Sequence, residues 1–252
     1  MSKLAAQILR FDSLPSTNLE AARRAIEGAE EGLCVVASEQ TAGRGRLQRQ
    51  WISPKGAGLY FSVVLRPRIP QSSWPLITLA AALAVHDALL EALSLNTDIK
   101  WPNDVLANKR KLCGILAETV ETAQGRAVVL GIGINLTSSA FPPEVDEFAT
   151  SAQFETGKLP DLENILRSLM LAIERRYEML QSVRGDEDIV REWSARSSYA
   201  RGKRVRVANG QEIIEGTTRG LAADGALRVE TDGGEIRMVR AGDVTELRAL
   251  DG

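Results

Sequence analysis

Apolar residues fall along this chain in two rhythms. Unbroken runs bounded by glycine or charge, Leu33-Cys-Val-Val-Ala-Ser38 and Gly58-Leu-Tyr-Phe-Ser-Val-Val-Leu-Arg66, suit strands buried on both faces. Residues 4–11 predict a shorter strand before them. Over 74–95 the apolar positions 77, 80, 81, 84, 85 and 88 recur at helical spacing, which predicts a long, mostly buried helix. Residues 162–180 and 186–195 carry amphipathic helical patterns, and 19–26 reads as a helix after Pro15-Ser-Thr-Asn18. Thr17 and Glu20 have capping-box spacing, and a capped helix start by itself asks for no ligand at Ser16, Thr17 or Asn18.

Between these helices, 98–106 and 112–121 read as a hairpin across Asn108-Lys109, and Gln124-Gly125 leads to a third strand, 127–136. Pro102 would interrupt a central ladder, so 100–104 is expected to bulge at a strand end. After Ser197-Ser198 the pattern becomes about five short strands, at 201–207, 212–218, 226–231, 236–240 and 244–247, with a turn at Asn209-Gly210. The expected fold is therefore α+β: a mixed sheet with flanking helices on one side over residues 1–198, then a small β-barrel over 199–252.

Composition narrows the function. The 252 residues are 44% hydrophobic and 25% charged with a net charge of −2, ordinary for a globular protein and unfavourable for general nucleic-acid binding. Cys34 and Cys113 sit in apolar runs without metal-ligand spacing and read as reduced core residues. No secretory leader or membrane-spanning pattern is apparent, so a cytoplasmic protein is expected. His86 is the only histidine, which leaves lysine, arginine, carboxylates and amides to do any chemistry.

Those groups concentrate in Glu39-Gln-Thr-Ala-Gly-Arg-Gly-Arg-Leu-Gln-Arg-Gln-Trp51. Gly43 and Gly45 predict unusual backbone conformations that bring N–H groups to a ligand. Arg44, Arg46 and Arg49 add planar forks suited to phosphate or carboxylate. A solvated basic loop beside a core tryptophan is the plainer alternative. The loop joins two strands and has no lysine-hydroxyl pair opening a helix, so it is no P-loop. Gly131-Ile-Gly-Ile-Asn135 lacks the third glycine of a dinucleotide fingerprint and reads as a strand end whose glycines admit a ligand closely. Lys111, beside Leu112-Cys-Gly114, is placed to reach into a cleft, whereas Lys109 and Arg110 suit a solvated hairpin tip.

Together, Ser16-Thr17-Asn18, Gln40-Thr-Ala-Gly-Arg-Gly-Arg46 with Trp51, Lys100-Trp-Pro-Asn-Asp104, Arg110-Lys-Leu-Cys-Gly-Ile-Leu116 and Gly131-Ile-Gly-Ile-Asn135 resemble the biotin protein ligases, in that family's order. Gln48 stands where the family more often has glycine, and Cys113 where it often has alanine or glycine. The resemblance implies a catalytic domain like that of class II aminoacyl-tRNA synthetases and an SH3-like C-terminal barrel. It also implies an ATP-dependent ligase that makes biotinoyl-5'-AMP and passes biotin to a lysine of a biotin carboxyl carrier protein.

Carried over residue by residue, Ser16, Thr17, Asn18 and Gln40 would meet the biotin head group. Gly43, Arg44, Gly45 and Arg46 would form the covering loop, and Gly114, Ile115, Leu116 and Gly131 would flank the tail. Arg44, Arg46, Arg49, Trp51, Asn103, Lys111 and Asn135 would serve ATP and the adenylate, with Trp51 near the adenine and both asparagines toward the phosphates. Lys111, Arg46 and Asp104 are the catalytic candidates. Mg²⁺ would accompany the pyrophosphate, with no protein ligands assignable. About fifteen residues precede Ser16, too few for a DNA-binding helix-turn-helix, so no repressor activity and no DNA partner are expected. An exposed sheet edge would allow a homodimer. A lipoate or octanoate attachment enzyme and a non-enzymatic nucleic-acid module are the alternatives.

Overall fold

The computed structural model describes residues 4, 7–137, 147–209 and 212–246. Parts of three expected elements, residues 5 and 6 of the first strand, Gly210 of the expected turn and Leu247 of the last strand, lie outside the described residues.

Strands β1 (Gln7–Phe11), β2 (Leu33–Ala37), β3 (Gly58–Leu65), β4 (Asp98–Lys100), β5 (Asp104–Ala107), β6 (Arg110–Thr122) and β7 (Gly125–Asn135) form one sheet in the order β1-β2-β3-β7-β6-β5-β4. The sheet is mixed, because β1 runs parallel to β2 while the other pairs are antiparallel. Every residue of β2 and β3 is buried, which is why both read as continuous apolar runs instead of alternating ones.

Two separate cores flank this sheet. Helix α1 (Thr17–Ile26) lays Ala21 and Ala25 against Val35, Val64 and Val129 on one face. Helices α2 (Pro75–Leu93), α4 (Leu162–Leu180) and α5 (Gly185–Arg196) cover the other, which carries Cys34, Val63, Leu130 and Ile132. Helices on a single side were expected; a sheet buried on both faces requires cover on both, and α1 supplies the second. The short α3 (Ala152–Thr156) follows β7. Helix α2 is apolar around its whole circumference because it lies between the sheet and α4 and α5. By length and composition it would cross a membrane, but 67% of that stretch is buried inside the protein.

One expected strand is two. Residues 101–103 turn the chain between β4 and β5, with Trp101–Pro102 in cis, so Pro102 sits in a turn where no ladder needs its missing N–H. The irregularity falls later, in the β5–β6 pairing, where Val105 faces Cys113 and Leu106 faces Lys111. Asn108 and Lys109 both adopt positive φ, as a two-residue hairpin turn demands.

The C-terminal strands β8 (Arg201–Asn209), β9 (Glu212–Leu221), β10 (Leu227–Glu230), β11 (Ile236–Val239) and β12 (Asp243–Glu246) pair antiparallel in the order β11-β10-β9-β8-β12. No ladder joins β11 to β12 among the described residues, because β12 returns across to β8, so the unit is an open sheet and not a closed ring. Val205, Val207, Leu227 and Val244 extend the main core, and Trp101 Nε1 donates to the Gly225 carbonyl at 3.0 Å. The basic start of β8 is neutralised locally by Arg204–Asp232 and Arg206–Glu215 pairs, a solvated face as its alternating charge suggests.

Cys34 and Cys113 are buried free thiols, and burial pushes Cys34 up to about 12 and Cys113 upward as well, so neither is a thiolate at neutral pH. His86 is a core imidazole whose Nδ1 lies 2.9 Å from Thr97 Oγ1, with burial lowering its pKa.

Candidate active site

The face covered by α1 is only half covered. Past the helix's N-terminal end the floor is made by alternate residues of two strands, Gly131 and Gly133 of β7 and Gly114 and Leu116 of β6, aligned by the pairs Gly114↔Gly133 and Leu116↔Gly131, with Ser62 of β3 beside Gly131 beneath α1. Above this floor lies a cavity of about 270 Å³. All the site residues expected from the sequence line it except Gly43, a residue of the loop outside the lining. Ile115 reaches it only by backbone, since strand parity points that side chain into the opposite core.

At one end a polar network anchors the start of α1. Gln40 Oε1 accepts the Thr17 N–H at 2.8 Å and lies 3.2 Å from the Thr17 hydroxyl, while its Nε2 donates to Ser53 Oγ at 2.8 Å. The expected capping box is not formed. Gln40 caps the helix from outside, and Glu20 pairs with Arg23 and Arg24. Ser62 Oγ lies 2.8 Å from Thr17 Oγ1 and 2.7 Å from Asn18 Oδ1, and Asn18 Nδ2 donates to Glu118 Oε2 at 2.9 Å. Ser16, Thr17 and Asn18 are all buried, more than a helix cap requires. Sequence reasoning passed over Ser62 and Glu118; the available signal was a lone hydroxyl inside an apolar strand and a carboxylate two residues beyond Leu116.

The loop is a small hairpin. Trp51 N–H donates to Gly43 O at 2.9 Å and Gly45 N–H to Arg49 O at 2.7 Å, with the turn Arg46–Gln48 at its tip. The glycine expectation needs correcting here: Gly45 is extended and Gly43 has no positive φ. Gly43 is needed for space, because a Cβ there would stand 2.2 Å from the Trp51 carbonyl oxygen. The left-handed positions are Leu47 (φ 54) and Gln48 (φ 60), so a glycine at position 48 would carry none of the strain that glutamine does there. Gln48→Gly is expected to leave stability unchanged or raise it by up to about 1 kcal/mol, once the added freedom of the unfolded chain offsets part of the strain removed. A clear fall in thermal melting would count against strain there.

At the other end stand the cations. The bulge in β6 sends both Leu112 and Cys113 into the core, and this break in alternation returns Lys111 to the floor face beside Gly114. Lys111 Nζ lies 2.7 Å from Asp104 Oδ1 and 5.3 Å from the centre of the Trp51 ring. Arg46 Nη1 donates to Asn103 Oδ1 at 3.1 Å; burial lowers the Arg46 pKa, opposed by Asp243 and Asp104. Arg49 pairs with Asp243, whereas Arg44 stands at the amide end, gripping through both Nη atoms, at 2.8 and 3.2 Å, the Glu118 carboxylate that also accepts from Asn18. Each of these four cations thus has a carboxylate or amide partner from elsewhere in the chain. Asn135 Nδ2 donates to the carbonyls of Thr150 and Lys111, at 3.1 and 3.4 Å, so it steadies the Lys111 backbone. Trp51 lies across the glycine floor, where a Cβ on Gly133 would stand 2.5 Å from Nε1, and that buried Nε1 has no hydrogen-bond partner among the described residues.

Known proteins share the sequence pattern and the fold of this chain. The model of the biotin/lipoate A/B protein ligase family matches residues 9–135, and that of the biotin protein ligase C-terminal domain matches residues 201–245. The chain belongs to the biotin protein ligase family. Bifunctional ligase/repressor BirA of Bacillus subtilis is 38% identical over 244 residues, covering 94% of this chain and 73% of that protein. Biotin–[acetyl-CoA-carboxylase] ligase of Mycobacterium tuberculosis is 38% identical over 240 residues, 92% and 86% of the two chains. The solved biotin protein ligase of Aquifex aeolicus in complex with biotin and ATP superposes with a TM-score of 0.84 at 28% identity, over 97% of this chain and 100% of that one. As a member of the biotin protein ligase family, the chain carries both the catalytic unit and the C-terminal unit that the two models describe.

Proposed function

We propose that this chain activates biotin with ATP as biotinoyl-5'-AMP and transfers biotin to a lysine of a biotin carboxyl carrier protein. The observation that carries this is the joining, in one cavity, of a buried amide-hydroxyl network at one end with Lys111, Arg46 and Arg49 at the other. The first end matches a neutral ring with fixed donors and acceptors, where an unpaired buried group costs about 1–3 kcal/mol and so enforces selectivity. The second suits two anions that must be brought together.

In the first step a biotin carboxylate oxygen attacks the α-phosphorus of ATP and pyrophosphate leaves. Lys111 and Arg46 offset the charge that builds on the phosphoryl oxygens, with Arg44 contributing from the amide end. Mg²⁺ would accompany the pyrophosphate and supply charge neutralisation there, with no protein ligands assigned to it. In the second step the carrier's neutral lysine amine attacks the acyl carbon and AMP leaves. Asp104, free once Lys111 turns to phosphate, orients that amine and receives its proton. Trp51 packs against the adenine, Asn103 holds Arg46, and Asn135 holds Lys111. The ion-paired basic face of β8 supports a protein without a DNA partner, and the reduced thiols support a cytoplasmic one.

Biotin-dependent ATP–pyrophosphate exchange, compared with lipoate, tests the activity; exchange with lipoate alone would overturn it. A second expectation concerns the floor. In Gly131→Ala a Cβ would stand 2.0 Å from Asn18 Oδ1 and displace that amide. Biotin binding should then weaken by about ten- to a hundredfold, the cost of an unmet buried polar group, with ATP affinity changing less. Unchanged biotin binding by calorimetry would remove Asn18 from the biotin site.

A further inference from the structure

One wall of the cavity belongs to the C-terminal sheet. Asp243, the first residue of β12, lines the cavity and pairs with Arg49, and the carbonyl of its neighbour Gly242 accepts from Arg46 Nη1 at 3.4 Å. The start of β12 is firmly placed: Gly242 has φ 136, and a Cβ there would stand 2.8 Å from the Ala208 carbonyl oxygen, a site only glycine fills. Asp243 itself is paired to Ala208 in the β12–β8 ladder. A carboxylate is thereby held at a set position against the two arginines at the hairpin's tip. The Arg49 side chain is 68% exposed and that of Asp243 31%, so the pair is weak and readily exchanged for a ligand with more charge and more acceptor oxygens.

We propose that Asp243 is a positioning residue of the nucleotide site. It holds Arg49, and with Gly242 also Arg46, against the C-terminal sheet, and yields both to the phosphates of the nucleotide. Nucleotide binding and the contact between hairpin and C-terminal sheet then exclude each other, and closure of the hairpin over the adenylate begins with release from Asp243. This rests on the adenylate-forming function proposed above and adds a group from the second unit to it.

The test uses the full chain and the variants Asp243→Asn, Asp243→Ser and Asp243→Glu. The expected result is a KM for ATP lowered about threefold to fivefold in the Asn and Ser variants, the range for removing one partly exposed ion pair. The KM for biotin should stay within about twofold of the unmodified enzyme's, the size of a surface effect. Trypsin should cut the empty Asn and Ser variants faster after Arg46 and Arg49, and biotin with ATP should abolish the difference. Asp243→Glu should restore both measurements. A merely structural aspartate would raise the KM for ATP or lower the melting temperature without speeding hairpin cleavage. A KM for ATP that is unchanged or raised, with cleavage of the empty protein also unchanged, overturns the proposal. If the unmodified enzyme exchanges no pyrophosphate with biotin, the proposed activity fails instead, and the cleavage comparison still decides the role of Asp243.

Discussion

Lys111→Ala is expected to slow biotinoyl-AMP formation by about two to three orders of magnitude, the effect of deleting a preorganised electrostatic group worth roughly 3–4 kcal/mol. Its preorganisation is visible in its backbone. Lys111 N–H donates to Phe148 O at 2.7 Å, its carbonyl accepts from Thr150 N–H at 2.9 Å, and the strand bulge aims its side chain at the floor. The ammonium already sits 2.7 Å from Asp104, so it needs only to exchange one anion for another. Removing it also leaves Asp104 facing the incoming phosphates unpaired, which adds repulsion to the loss. Biotin affinity should fall far less, because the amide-hydroxyl end is untouched. Pyrophosphate exchange beside biotin calorimetry measures the two separately. An alanine variant that forms the adenylate at near-normal rate would make Lys111 a bystander.

Arg46→Gly should separate making the intermediate from keeping it. The guanidinium is partly buried and bonded to Asn103 Oδ1 and Gly242 O, and the substitution would place a second glycine beside Gly45. One charge-assisted contact to the adenylate and the stiffness of the hairpin are lost together. Adenylate should still form at Lys111 but leave about ten- to a hundredfold faster, the equivalent of one hydrogen bond to a charged group. Because a free acyl-adenylate acylates any neutral amine it meets, biotin should then appear on bystander proteins. Unchanged dissociation with labelling confined to the carrier would show that the hairpin does not retain the intermediate.

The family resemblance implies a loop of Gly43, Arg44, Gly45 and Arg46 that covers a bound anion. The structure adds what stands in for that anion: Glu118 on Arg44 and Asp243 on Arg49. Neither was legible beforehand. Arg44 and Glu118 are 74 residues apart, and Arg46 meets Gly242 across 196 residues, separations over which no periodicity carries information. The capping of α1 failed to be read for the same reason: Thr17 and Glu20 have the right local spacing, yet Gln40, 23 residues on, takes the helix's first N–H.

By itself the sequence determined whatever depends on near neighbours. Runs such as those of β2 and β3 had to be strands buried on both faces, and α2 had to be a core helix, because burial follows from apolar content at strand or helix period. The short motifs from Ser16 to Asn135 determined the family and supplied most, not all, of the residues that line the cavity, since each is a local solution to close approach or anion contact. What the tertiary structure decided is orientation and pairing. The parity of β6 would send Lys111 into the core with Cys113; one extra residue at Leu112 in its pairing with β5 turns it toward Asp104. The two-sided cover of the sheet, the placement of Ser62 beneath Asn18 and the arrival of Asp243 beside Arg49 are likewise properties of register and packing. They arise only when strands distant in sequence align, because a shift of one residue would exchange every floor residue for a core residue.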